Sequence, residues 1–171
     1  MLVQRSLNGR SAEFFESTRA RLIRVRAVTF QRCLMTQSRC SKPLVFGLST
    51  ALKLLCVDVP AELDTEDITV VVPRSCDRPR LAGVRPIVWP HQLPTTTIDG
   101  ITCVIPDMTW IMYARKAGLQ ELVLLGDALM RRDSEQKWYS PGQLESVFSD
   151  FVRTAGIGDD SRLQTCSRAL K

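Results

Sequence analysis

Apolar and polar positions form their clearest pattern in residues 95–132. Two β-prone runs, residues 95–98 and 101–105, flank the dipeptide Asp99-Gly100. Asp-Gly supplies the positive φ angles that a two-residue turn requires. The sequence therefore predicts a tight β-hairpin at this point.

Two helices are predicted to follow the hairpin. Pro106 ends the second strand because it has no N–H, and Asp107 is placed to accept a hydrogen bond from the first free amides of a helix. A helix starting near Met108 has no polar face before its end, so we expect it to be buried, with Gly118 as a left-handed cap. The second helix, residues 119–132, carries a leucine stripe at helical spacing.

Residues 21–30 fit two patterns. Alternating positions from Ile23 to Thr29 favour a strand, whereas Phe15, Leu22 and Val25 fit a helical stripe. We favour a helix over residues 12–19 followed by a strand over this stretch.

Elsewhere the pattern predicts short regular elements joined by polar loops. Pro86 marks its strand as an edge or bulged strand, and Ser140-Pro141-Gly142-Gln143 is a capping box that opens a helix. We expect an α+β fold in which helices pack on a small, mainly antiparallel sheet. The further predictions are a connection over 31–42, a helix over 49–55, strands over 68–72 and 84–89, a loop over 133–139 and a last helix ending at 171.

Composition limits the classes of protein that remain. A chain of 171 residues with 44% apolar content can bury one main core. No apolar run approaches the roughly 20 residues that cross a bilayer, and the arginine-rich start lacks the apolar middle of a secretory signal. The six cysteines contain no Cys-x-x-Cys pair, which favours free thiols in a reducing compartment. We expect a cytoplasmic protein without membrane contact.

Positive charge is concentrated near the N-terminus. Residues 1–42 hold nine Arg or Lys against two acids, whereas residues 43–171 hold 14 against 16. Such a segment could contact nucleic acid phosphates, and a solvated arm is the alternative. The candidate DNA-binding residues are Arg21, Arg24, Arg26, Arg32, Arg74, Arg78 and Arg80.

One weak match to an enzyme signature occurs. Asp107 with Glu135 and Lys137 fits the loose Pro-Asp…Glu-x-Lys pattern of metal-dependent nucleases, in which the acids hold magnesium and the lysine orients water. The two acids belong to a predicted helix start and a predicted loop, not to adjacent strands, so we favour chance. We expect no catalytic residue, metal or cofactor, and no small-molecule substrate is indicated.

Two single residues also invite a functional interpretation. His91, the only histidine, follows a strand end, and we favour an exposed loop residue over a catalytic base. Asp127 lies in an otherwise apolar helix, where we favour a structural ion pair with Arg115 or Arg131 and keep exposure to water as an alternative.

Several segments together resemble a known family. They are TALKL near residue 50, ITVVVP, GVRPIVW, DGITCVIPDMTWIMYA and GDALMRR. Residues 43–171 resemble the AbiEi-type antitoxin and transcriptional-regulator family of bacterial abortive-infection, type IV toxin–antitoxin systems. The likeness is greatest to actinobacterial members that often carry a C-terminal very-short-patch-repair-like endonuclease domain.

The resemblance implies two regions and a binding function. Residues 1–42 would be a basic segment, with residues 20–30 similar to the wing strand of a winged helix-turn-helix, and residues 43–171 the AbiEi-like domain. The family often has His-Gly at Leu55-Cys56 and Asp at Met112. We expect a non-enzymatic regulator or antitoxin-like module that contacts DNA, a toxin protein or both. A protein-interaction scaffold, or a remnant of a nuclease-fused member, is the alternative.

Overall fold

A computed structural model describes residues 16–130 and 140–155, which form helices packed on a single sheet. This arrangement confirms the predicted α+β class. The elements are α1 (Thr18–Ser38), β1 (Val45–Phe46), α2 (Leu48–Leu54), β2 (Ile68–Val72), β3 (Val84–Val88), β4 (Thr95–Ile98), β5 (Ile101–Val104), α3 (Pro106–Ala114), α4 (Leu119–Leu129) and α5 (Pro141–Ala155), with a 3-10 turn at Ser75–Asp77.

The sheet is mixed, and the prediction of a mainly antiparallel sheet is wrong. Its strand order is β3-β2-β1-β5-β4. The pairs β1–β2 and β4–β5 are antiparallel, whereas β1–β5 and β2–β3 are parallel. Parallel neighbours need long connections, so no local turn signal announces them.

Both predicted strand features around the sheet edges are confirmed. Asp99 and Gly100 have φ angles of 49° and 86° and join β4 to β5 in a two-residue hairpin. Pro86 lies in β3, an edge strand, where its missing N–H removes no bond from the interior of the sheet.

α3 lies in the core, as its sequence predicts. All nine of its residues are buried, and the indole N–H of Trp110 donates to the Leu122 carbonyl of α4 over 2.9 Å. Two details differ from prediction. Ile105 is the residue that caps α3, with Asp107 in the first turn. Gly118 has a φ of −76° and begins α4 as its cap, because α3 already ends without a left-handed residue.

α1 corrects the prediction for residues 21–30. These residues are helical throughout, so the predicted wing strand is wrong, and the connection predicted over 31–42 belongs largely to α1. The buried face repeats at helical spacing through Leu22, Thr29, Cys33 and Thr36. Both threonine hydroxyls donate over 2.8 Å to the carbonyl four residues earlier, which lets these polar side chains be buried.

The residues on either side of α2 have special backbone requirements. Gly47 precedes it against β2, where an added Cβ would overlap the Val71 side chain. At the other end Cys56 adopts a left-handed φ of 57°, and the Val57 N–H donates to the Leu52 carbonyl over 2.9 Å. This is the capping geometry that glycine usually provides.

The capping box at the start of α5 is confirmed. The Ser140 N–H donates to Gln143 Oε1 over 2.8 Å, and the Gln143 N–H donates to Ser140 Oγ over 3.4 Å. α5 then buries Leu144 and packs aromatic side chains against the core. The predicted loop over 133–139 and the predicted last helix lie outside the described residues.

Candidate nucleic-acid interface

Two of the candidate DNA-binding arginines of α1 connect the helix to the body of the protein. Arg21 Nη2 lies 2.8 Å from Asp58 Oδ2, and Arg26 Nη2 lies 3.9 Å from Asp99 Oδ2 in the β4–β5 hairpin. These contacts orient both guanidinium groups toward acids of the same chain. Their charges are therefore partly neutralised before any ligand arrives.

The other two candidate arginines of α1 also have intramolecular partners. Arg24 donates from two nitrogens to both carboxylate oxygens of Glu16, over 3.1 and 2.9 Å. The hydrogen bond from Arg24 lowers the pKa of Glu16. Arg32 donates to the backbone carbonyl of Glu66. All four arginines thus hold internal contacts.

The three remaining candidates lie together on the connection between β2 and β3, residues 73–83, which we call the basic connection. Arg74, Arg78 and Arg80 are exposed there. Asp77 is the only acid of this segment. It accepts a hydrogen bond from Arg74 over 3.0 Å and lies 3.6 Å from Lys42 Nζ.

Electrostatics at the basic connection therefore favour anions. The hydrogen bond from Arg74, with a smaller contribution from Lys42, lowers the pKa of Asp77, which keeps this carboxylate charged. The negative charge of Asp77 is therefore outnumbered by the four positive charges of Arg74, Arg78, Arg80 and Lys42. Clustered cations on an exposed loop can bind successive phosphates of a nucleic acid backbone.

α1 has a different kind of surface on its solvent side. Ile23, Val28, Leu34 and Met35 are exposed by 54%, 55%, 39% and 68%, and we call these four residues the outward face of α1. They are four of the six large apolar side chains exposed in the described part of the chain. Sequence reasoning missed this surface because it assigned a strand to residues 21–30. A helical projection of α1 would have found it.

Neither part of the nuclease signature forms a described site. Asp107 is 5% exposed in the first turn of α3, where its Oδ1 accepts the Met108 N–H over 2.6 Å. Glu135 and Lys137 lie outside the described residues. Within residues 16–130 and 140–155, no group of three His, Cys, Asp or Glu side chains could hold a metal ion.

His91 and Asp127 have surroundings that the sequence did not specify. His91 is half-buried and packs edge-on against Trp89 and Phe151, with ring centroids 5.5 and 6.0 Å apart. Asp127 is exposed on α4, in agreement with the alternative of exposure to water. Arg115 instead lies over the Trp89 ring, 5.8 Å from its centroid, and Arg131 lies outside the described residues.

Comparisons with protein-family models, curated proteins and solved structures found no match. The resemblance to the AbiEi-type family therefore stays a prediction. In the described ranges no helix has the length and apolar character needed to span a membrane.

Proposed function

We propose that this protein is a non-enzymatic, regulator-like or antitoxin-like module that contacts the backbone of duplex DNA through the basic connection. One observation carries the proposal: Arg74, Arg78 and Arg80 lie on one exposed segment beside Lys42, with Asp77 as the only acid of that segment. Phosphate contacts need accessible cations more than they need a particular fold.

The arginines of α1 support this proposal less well. Arg21, Arg24 and Arg26 each face a carboxylate, so binding a phosphate would first require that contact to be exchanged. The same holds for Arg74, whereas none of the ion pairs among the described residues involves Arg78 or Arg80. Exposed ion pairs are weak, and the exchange would cost little. However, such an exchange leaves the displaced carboxylate beside the phosphate, so α1 offers no excess of positive charge at these pairs. The basic connection has such an excess before any ligand binds.

The test measures the salt dependence of duplex binding. For the wild type, log K should fall linearly with log salt, with a slope of about −0.9 for each phosphate contacted. Replacing Arg74, Arg78 and Arg80 together by Gln should make that slope shallower by about 3. The matched control replaces Arg21, Arg24 and Arg26 by Gln, which removes the same charge from α1.

Three outcomes separate the alternatives. A shallower slope of log K against log salt in the Arg74, Arg78 and Arg80 variant, but not in the α1 variant, supports the proposal. Equal losses would show that only net charge matters, and a loss confined to the α1 variant would move the interface to that helix. Either of these results, or a wild type that does not bind duplex DNA at low salt, overturns the proposal.

Protein contact is a second candidate function, favoured by the outward face of α1. The occupant that fits this surface is a second copy of the chain. Arg24, which lies among the four residues of this face on the same side of α1, is paired with Glu16, so two copies meeting across a two-fold axis would not repel each other strongly. The toxin partner implied by the family resemblance stays a prediction.

Sedimentation equilibrium over a range of protein concentrations tests this second candidate. The wild type should dimerise weakly, and Val28→Glu with Met35→Glu should remain monomeric. The control places the same two charges at Val123 and Leu124, exposed apolar residues of α4, and should leave the dimer intact. A monomeric wild type at every concentration overturns this candidate.

A further inference from the structure

A second cationic feature lies away from the basic connection, at a cavity between β3, the start of α2 and the end of α3. The cavity has a volume of ≈ 340 Å³, which lies in the lower part of the range for small-molecule sites. Its walls are apolar except where α3 ends. The lining residues are Leu48, Ile87, Val88, Trp89, Met112, Arg115 and Lys116.

Two cations line this cavity, and a third lies at the adjoining one. Arg115 and Lys116 are the first two, and Arg85 lies on the same face of β3 as Ile87, beside the adjoining cavity that Lys116 also lines. Among the described residues, none of the ion pairs involves Arg85, Arg115 or Lys116. Arg115 instead lies over the Trp89 ring, 5.8 Å from its centroid, so no acid of the described residues neutralises its charge.

The local field indicates that a negative charge would be stabilised here. Desolvation lowers the pKa of Lys116, and the neighbouring charges of Arg85 and Arg115 lower it further. The nearest carboxylate lining the adjoining cavity is that of Glu62, which does not line the first cavity. An anionic group is therefore best accommodated between Arg115 and Lys116.

Trp89 lines the cavity, but little of its ring is free, because Arg115 lies over the ring and Phe151 is stacked on it. The Trp89 side chain is 5% exposed, and its buried indole N–H has no acceptor within the described part of the chain. A buried donor without an acceptor is uncommon in folded proteins. The centroids of the Trp89 and Phe151 rings lie 5.9 Å apart, and this packing holds the indole in place.

We propose that this cavity binds a small organic anion, with its phosphate or carboxylate group between Arg115 and Lys116 and a compact apolar group against Leu48, Ile87 and Met112. Arginine and lysine form charge-assisted hydrogen bonds to such oxygens. The apolar walls favour a compact ring over a polar chain. This inference does not depend on DNA binding by the basic connection.

The probe is phenyl phosphate, titrated into the intact chain and followed by the indole N–H signals in nitrogen-15 NMR spectra. The Trp89 signal, identified with Trp89→Phe, should shift and saturate. The Trp110 signal should not move, because its N–H is already bonded to the Leu122 carbonyl. Inorganic phosphate and phenol should each bind more weakly than phenyl phosphate. Benzoate binding as tightly as phenyl phosphate would support a carboxylate ligand for the same site.

Two exposed substitutions test the charge requirement. Arg115→Gln and Lys116→Gln should each weaken binding of phenyl phosphate by about tenfold or more, as expected for losing a charge-assisted contact. The control, Arg78→Gln, removes the same charge from the basic connection and should leave affinity unchanged. The inference is overturned if no signal saturates, if phenol binds as tightly as phenyl phosphate, or if all three variants lose affinity equally.

Discussion

α3 and α1 are held in place by opposite means. α3 has nine residues, all buried, and its long-range hydrogen bonds come from two of its core side chains, the Trp110 indole to the Leu122 carbonyl and the Tyr113 hydroxyl to the Leu63 carbonyl. α1 has 21 residues, of which four are buried, and its contacts to distant parts of the chain include exposed arginine pairs. The shorter helix is therefore part of the core, and the longer one covers it.

This difference separates stability from surface chemistry. Burial of apolar area supplies most of the free energy of folding, whereas exposed ion pairs contribute little. Changes in α3 should therefore act on the whole fold, and changes on the solvent side of α1 should act mainly on binding. The predictions below test that contrast, beginning with the largest effect.

Trp110→Ala should lower the free energy of unfolding by about 3–5 kcal/mol, because it leaves a cavity and deprives the Leu122 carbonyl of its donor. Urea denaturation measures the change. Val28→Ala on the outward face of α1 is the control and should change stability by less than about 0.5 kcal/mol. Similar losses in both variants would contradict the contrast between the two helices.

Gly47→Ala tests how tightly the centre is packed. The φ of Gly47 is −137°, so alanine causes no backbone strain, but its Cβ would overlap Val71. We expect a loss of about 1–3 kcal/mol in urea denaturation. In Gly142→Ala the added Cβ meets no heavy atom within 4 Å, and the variant should gain up to about 1 kcal/mol from helix propensity. A neutral Gly47→Ala would show that β2 and α2 can separate easily.

Two buried thiols lie where α1 meets the sheet, and they make stability depend on alkaline pH. Burial raises the pKa of Cys33 from 9.0 to about 12 and that of Cys103 from 9.0 to about 11. Because the unfolded chain releases these protons first, their stabilising contribution is complete below pH 9 and is lost as pH rises toward 11–12. Each unit of pKa difference corresponds to about 1.4 kcal/mol.

Urea denaturation at increasing pH measures this effect. The pH dependence should weaken when Cys33 and Cys103 are both replaced by Ala. Cys76→Ala, at an exposed position, is the control and should behave as the wild type. An unchanged slope in the double variant would mean that other groups, such as the buried Tyr113 hydroxyl, dominate.

Cys56→Gly should stabilise the protein slightly, because it removes a side chain from a left-handed position at the end of α2. We expect a gain of about 0.5–1 kcal/mol, since the relief of strain exceeds the added freedom of the unfolded chain. Thermal unfolding measures the gain. Cys56→Ala should give none, and a gain as large as that of glycine would assign the effect to the thiol.

Arg21→Gln should have the smallest effect, a loss of less than about 1 kcal/mol, because its ion pair with Asp58 is only partly buried and is screened by solvent. Leu22→Ala, one residue later on the buried face, should cost about 2–4 kcal/mol. Urea denaturation of both variants gives the comparison. If Arg21→Gln is the more damaging, ion pairs and not apolar contacts hold α1 in place.

Local signals predicted much of the fold correctly. The apolar run of β2, the Asp99-Gly100 turn and the capping box at Ser140 each act within a few residues, so the sequence shows them directly. Pro86 also identified β3 as an edge strand, because proline is tolerated there and not inside a sheet. The parallel pairings were beyond reach, because they bring together segments far apart in the chain.

α1 shows where such signals mislead. Its buried stripe contains Thr29, Cys33 and Thr36, which a count of apolar residues overlooks, whereas the exposed Ile23 and Val28 resemble residues of a strand. Helical burial of the threonines depends on hydrogen bonds to the backbone that exist only once the helix has formed.

The candidate interface was predictable only in part. The arginines could be named from the sequence, but Asp58 lies 37 residues from its partner Arg21. Which cations are matched by acids therefore depended on tertiary structure. The same holds for the cavity, since Trp89 and Arg115 come from separate elements whose meeting no local pattern predicts.

The two borders of the sheet differ in how readily they accept another chain. β3 contains Pro86, which has no amide hydrogen to donate, whereas every residue of β4 has an N–H, and only one of its edges is paired, with β5. Aggregation by strand addition should therefore start at β4. A proline in β4, at a position whose N–H points away from β5, would remove a donor from this edge and should reduce aggregation in concentrated preparations.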